Sequence, residues 1–189
     1  GSSDVCSSDL DGVYGAVETQ DFQVMFYRKD ILEALGLDVP ETWDDVEEMM
    51  PVLLRYNMNF NLQIANQVGF KSYHVTAPLI YQSGGGFYAA DGMTAALTSQ
   101  ATISGFEQLT NMFTVYGMQQ YVPSFYNSFR FGSIPIGLAG FSMYMQLKTA
   151  APELAGLWDI APSPGTELED GSILRYQMAD NKIGRASCR

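Results

Sequence analysis

Cysteine is nearly missing from this chain of 189 residues, and its two cysteines, Cys6 and Cys188, lie near its two ends. The segments that hold them, SSDVCSSDL at 2–10 and IGRASCR at 183–189, read like translated sequencing-adapter sequence in its two orientations. Residues 1–10 and 182–189 are therefore expected to be non-native, flanking an internal piece of a longer reading frame that would carry no signal peptide. With them set aside no cysteine remains, which excludes disulfide staples and thiolate chemistry. Positive charge is scarce too. Without Asp4, Asp9, Lys182, Arg185 and Arg189 the chain keeps seven bases against nineteen acids, net −12. So acidic a surface is unsuited to nucleic acid or to anionic membranes. The single histidine, His74, has no ligand-spaced Cys, His or carboxylate around it. It reads as a surface or hydrogen-bonded histidine, not as a metal ligand. No run approaches the ~20 apolar residues of a membrane span.

Aromatic side chains are what the chain has in abundance, with 11 Phe and 11 Tyr. The length suits one well-packed domain. Residues 22–27 form an apolar, aromatic run that predicts a largely buried strand. KDILEAL at 29–35 has helical spacing and stops at Gly36, suited to a left-handed C-terminal turn. Thr42 is the expected N-cap of a second helix, accepting from the Asp45 amide. Asp44 and Asp45 sit at the positive end of its dipole, and Trp43 packs that end onto the domain. Pro51 predicts a kink or break before this helix ends near Tyr56.

Beyond it, the pattern predicts a strand at 60–64, a polar and aromatic loop at 65–77 and a short helix at 78–82. Ser83-Gly84-Gly85-Gly86 lacks the context of a phosphate cradle and reads as a helix stop with a tight turn. Asp91-Gly92 signals a hairpin turn. A helix capped by Ser99 carries Ile103, Phe106, Leu109, Phe113 and Tyr116 at three- and four-residue steps, predicting a core-facing stripe. A helix at 124–131, a strand at 133–138 limited by Pro135, a turn at Ala139-Gly140 and a helix at 141–151 follow. A strand at 157–160 and an exposed acidic turn at 167–171 complete the pattern.

Several stretches, in this order, carry a resemblance. They are Tyr27-Arg28-Lys29-Asp30, Gly36-Leu37, the Pro40-x-Thr42-Trp43-Asp44-Asp45 helix start, and Pro78-Leu79-Ile80 leading to Gly84-Gly85-Gly86. The helix from Ser99, Phe129-Arg130-Phe131-Gly132, and the stretch from Trp158 to Gly165 follow. Together they resemble the extracellular solute-binding proteins of ABC sugar importers over nearly all of residues 13–171, with Arg28 where members usually have Asn.

The resemblance implies an α/β class: one lobe, mainly the C-terminal lobe, of a two-lobed periplasmic-binding-protein fold like that of maltose-binding protein. Its mixed sheet would be flanked by helices and incomplete. Residues 11–20 would cross between lobes, and 21–181 would form mainly the C-terminal one. It further implies a non-enzymatic protein that captures a carbohydrate, an oligosaccharide, in the inter-lobe cleft and delivers it to ABC permease subunits. Such a protein is extracytoplasmic, a lipoprotein or periplasmic, monomeric at full length, and needs no cofactor or metal.

The candidate ligand residues also come from the resemblance. Glu18 and Gln20 lie at the crossing, Phe70 and Tyr73 in the loop before a helix, and Phe141 and Tyr144 at the helix start after Gly140. An aromatic face suits the C–H patch of a sugar ring, although at least one of Phe141 and Tyr144 is expected to be core. The residues by themselves leave open a glycoside-active enzyme or a cell-surface glycan-binding module. A glycosidase needs two carboxylates flanking the bond. The acids at Asp44-Asp45, Glu47-Glu48 and 167–170 read as solvated faces, and Glu18 is the one acid placed in the cleft. No Gly-x-Ser-x-Gly nucleophile elbow occurs.

Overall fold

A computed structural model describes residues 17–62, 64, 70–176 and 179–183, with only the backbone described at 17–21, 70–73 and 179–183. The organising element is strand β1, Val17–Arg28. Its C-terminal half lies between antiparallel partners β3 (Ile136–Gly140) and β4 (Trp158–Ala161), and β2 (Phe60–Asn61) adds in parallel outside β3. The N-terminal half of β1 pairs with β7, Ala179–Ile183, so β7 runs past the boundary expected at residue 181. A separate two-stranded hairpin joins β5 (Thr166–Glu167) to β6 (Ile173–Leu174) around the acidic turn.

Alternation along β1 divides the interior into two cores. Met25 faces one, with Trp43, Met50, Leu53, Phe60, Leu79, Met112 and Ile136. Val24 and Phe26 face the other, with Phe125, Phe129, Met143 and Leu147. Helices α2 (Trp43–Arg55), α3 (Phe70–Gln82) and α4 (Gln100–Thr114) cover the first face. Helices α5 (Phe125–Phe131) and α6 (Ser142–Ala150) cover the second. Mixed pairing under two helical layers is the α/β lobe that the sequence predicts.

The opening stretch folds as its residues direct. Helix α1, Lys29–Leu35, stops at Gly36 with φ 66°. The Thr42 hydroxyl accepts from the Asp45 amide, and the Asp45 carboxylate accepts in return from the Thr42 and Glu41 amides. Burial pushes the Asp45 carboxyl up, but those bonds outweigh it and hold it below the usual range. Arg28 is buried and donates to both Asp30 oxygens and to the carbonyls of Phe129 and Arg130. It thereby closes the C-terminal end of α5, which a shorter asparagine does not reach.

Four expectations are corrected. Helix α2 runs unbroken through Pro51, which is exposed, so the carbonyl that loses its partner lies on the water side. Helix α3 already begins at Phe70, inside the predicted loop, and continues through Pro78. Tertiary packing overrides the weak helical propensity of its aromatic and β-branched residues. Strand β3 starts three residues later than predicted and includes Ala139-Gly140. On α4 the buried positions are Thr102, Gly105, Leu109 and Met112, while Phe106 is 51% exposed. The reason is close approach to α3: a Cβ on Gly105 would stand 2.8 Å from Ile80 Cα. Gly85 is likewise structural, since a Cβ there would stand 2.6 Å from the Thr102 amide nitrogen. His74, expected on the surface or hydrogen-bonded, is buried within α3.

Candidate functional site

Strands β2 and β3 run parallel and end at the same edge of the sheet, and crevices outside the carboxyl ends of strands are where open α/β sheets hold ligands. A concavity of about 610 Å³ opens there, within the range of small-molecule sites. Its floor is the strand ends, Gln23, Asn61 and Leu138 to Gly140. Its walls are Val75 of α3, the 121–126 segment leading into α5, and Ser142, Met143 and Gln146 of α6. None of the described residues that line it carries a charge at neutral pH. Polar groups nevertheless ring it: Gln23, Asn61, Tyr121, Ser124, Tyr126, Ser142 and Gln146.

The floor is rigid. Asn61 pairs with Gly137, where a Cβ would stand 2.4 Å from the Asn61 Cβ, so glycine is what lets β2 approach β3. Asn61 is 3% exposed, and its Nδ2 donates to the Leu138 carbonyl at 2.8 Å. Its Oδ1 has no hydrogen-bond partner, and neither has the buried Tyr126 hydroxyl.

Helix α6 has a second flank. Phe141 is the middle ring of a stack, 5.2 Å from Phe22 and 5.4 Å from Tyr144, nearly parallel to both. Trp158 meets Tyr144 edge-on at 5.5 Å, and the Lys148 ammonium lies 5.7 Å from the Tyr144 ring centre. Helical spacing turns Phe141 and Tyr144 away from Ser142, Met143 and Gln146. The two aromatics predicted as platforms are thus brought together with each other, but on the flank of α6 opposite the concavity, packed against the second core.

The other predicted residues are placed by backbone alone. Gln20 pairs with Asn181, and Glu18 falls at the irregularity in the β1–β7 register. Phe70 and Tyr73 occupy the first turn of α3, five and two residues before Val75. Their side chains lie outside the described residues. Sequence reasoning missed Gln23, Asn61 and Tyr126. The signal for Asn61 was an amide in the middle of the apolar triplet Phe60-Asn61-Leu62, where a buried strand leaves no room for water.

A sheet with helical layers on both faces and its concavity at the carboxyl ends of β2 and β3 is one lobe of the periplasmic-binding-protein fold. The profile of the bacterial extracellular solute-binding proteins matches residues 7–179, and the chain belongs to that family. No curated protein sequence matches it. Among solved structures, the chain is similar to maltose-bound MalE3 of T. maritima, at 18% identity and TM-score 0.73, covering 90% of this chain and 44% of that one. It is similar to the sugar-binding protein MalE of Xanthomonas citri, at 18% identity and TM-score 0.68, covering 92% and 44%. A third is the GacH receptor of Streptomyces glaucescens, at 16% identity and TM-score 0.66, covering 82% and 40%. The chain spans 40–44% of the length of these structures.

Proposed function

We propose that this chain is the carbohydrate-holding C-terminal lobe of an ABC importer's solute-binding protein, residues 11–20 crossing between lobes and 21–181 forming the lobe. The observation that carries this reading is the polar-ringed concavity at the strand ends, where no charged residue stands among the described ones that line it. A saccharide offers hydroxyls to such groups and asks for no counter-charge. The family membership supports it, as do neighbours whose bound solutes are maltose, acarbose and maltotetraose. The reading is binding without catalysis: a glycosidase needs paired carboxylates, and no pair stands among the described residues lining the concavity. It acts outside the cytoplasm as a monomer. Closure of a second lobe over the solute creates the form that permease subunits recognise.

Phe141 works in this site as the ring that seats α6, with Phe22 and Tyr144 as the outer rungs. Phe70 and Tyr73, at the start of α3, and Glu18 and Gln20, upstream of Gln23, are candidates for the rim. The test is titration of the full-length protein carrying residues 11–181 with maltose, maltotetraose and chitin oligosaccharides, followed by intrinsic fluorescence. A saturable change without release of reducing sugar is expected. Turnover, or silence towards every saccharide, overturns the reading.

A further inference from the structure

Helix α4 carries two stripes at helical spacing. Thr102, Gly105, Leu109 and Met112 are buried. Ile103, Phe106, Thr110 and Phe113 follow the same three- and four-residue steps around its side. There Ile103 is 37% exposed and Phe106 51%. Phe106, Thr110, Phe113 and Thr114 line a groove of about 410 Å³, together with Ile64 and Thr76, and no charged residue stands among the described ones lining it. A face made for water is about a quarter to a third charged. The chain is 16% charged, yet the run from Ser72 to Phe106 holds a single charged residue, Asp91.

The neighbouring sequence cannot fill this groove. The five residues between Ile64 and Phe70, Ala-Asn-Gln-Val-Gly, bring one bulky apolar side chain to match Ile103, Phe106 and Phe113. A second copy is a poor occupant, because the acid excess of the chain makes two copies repel. The full-length polypeptide is a better source, since the chain spans 40–44% of the length of its solved neighbours. Walls made of side chains offer no backbone partners, so the occupant has to bond its own amides and carbonyls, as a helix does.

We infer that an amphipathic helix from the part of the full-length polypeptide outside residues 11–181 seats its apolar side in this groove, against Phe106 and Phe113. The lobe is then built from two separate stretches of chain. The inference needs the groove and the length, and stands apart from the saccharide reading.

The experiment uses the full-length protein in a cysteine-free background. Thr110→Cys, in the groove, and Ser104→Cys, on another flank of α4, are alkylated with N-ethylmaleimide under native conditions. Thr110→Cys reacts at least about 30-fold more slowly, as a site that must open before it reacts does, and dilution does not change the ratio. With p-benzoylphenylalanine in place of Phe106, irradiation crosslinks the monomer internally, to a peptide outside residues 11–181. Phe106→Ala lowers the melting temperature. A smaller ratio of rates, or protection that fades on dilution, overturns the inference. So do crosslinks to residues 65–73 or to a second copy, or none at all. An unchanged melting temperature in Phe106→Ala overturns it too, because truncating a side chain that packs on nothing costs little.

Discussion

Among the described residues three amide side chains are buried, and they are treated differently. Gln82 takes the Trp43 indole proton on its Oε1 at 2.8 Å, and its Nε2 reaches the Pro164 and Tyr176 carbonyls. Asn59 donates to the Gly117 carbonyl and accepts from the Phe60 and Gln119 amides. Every polar end of these two is matched within the protein, which makes them fasteners. Gln82 ties α3 to the start of α2 and to the strands beyond, and Asn59 ties β2 to the end of α4. Asn61, two residues from Asn59 and as deeply buried, is matched on one end alone. Complete matching marks an amide that holds the fold, and Asn61 differs from the other two in leaving one end unmatched.

The largest effect that tests this contrast falls on the fastened side. Trp43 is 3% exposed, and Trp43→Ala is expected to cost about 3–5 kcal/mol in urea unfolding. Gln82→Leu is the sharper probe. It keeps the volume but strands the Trp43 indole N–H in the core, at about 1–3 kcal/mol. If it costs nothing, Gln82 is no fastener and the contrast collapses. Asn61→Leu is expected to cost less than about 1 kcal/mol, because it loses one bond to Leu138 but also removes an oxygen that had none.

Smaller still are two acid-dependent effects. The Arg28 guanidinium holds the Asp30 carboxyl below its ordinary value. Its stabilisation is therefore complete above the unfolded value of about 4 and is lost as pH falls through the lower folded value. Asp30→Asn should flatten the fall in melting temperature below about pH 4. Asp91 is pushed down to about 2 by the Thr94 hydroxyl and the Thr94 and Met93 amides. Its contribution runs out between about pH 4 and pH 2. Being fully exposed, it gives the weakest of these signals, read as a slightly flatter acid melt in Asp91→Asn.

Local chemistry was legible in the sequence wherever the cause is local. Gly36 and the Thr42–Asp45 exchange need no partner from afar, and both stand where they were expected. The α4 stripe was misread because its cause is distant. Periodicity picks out large apolar residues, yet the seam with α3 is made by Thr102 and Gly105, whose smallness matters only once α3 is known to lie there. The start of α3 hid behind aromatic residues and a proline for the same reason. The concavity was the least legible part. Gln23, Asn61 and Tyr126 come from three elements far apart in the chain, and no spacing rule links them. Phe141 and Tyr144 were legible as a pair, but their orientation depends on which flank of α6 meets the sheet.

Strand β1 is twelve residues long, about 40 Å when extended. Its second half is clamped between β3 and β4, whereas its first half has β7 for a neighbour. The two halves meet at Phe22, whose carbonyl accepts from the Phe141 amide and whose ring begins the stack on α6. The change of partner along β1 thus falls at the residue that holds the start of α6 against the sheet.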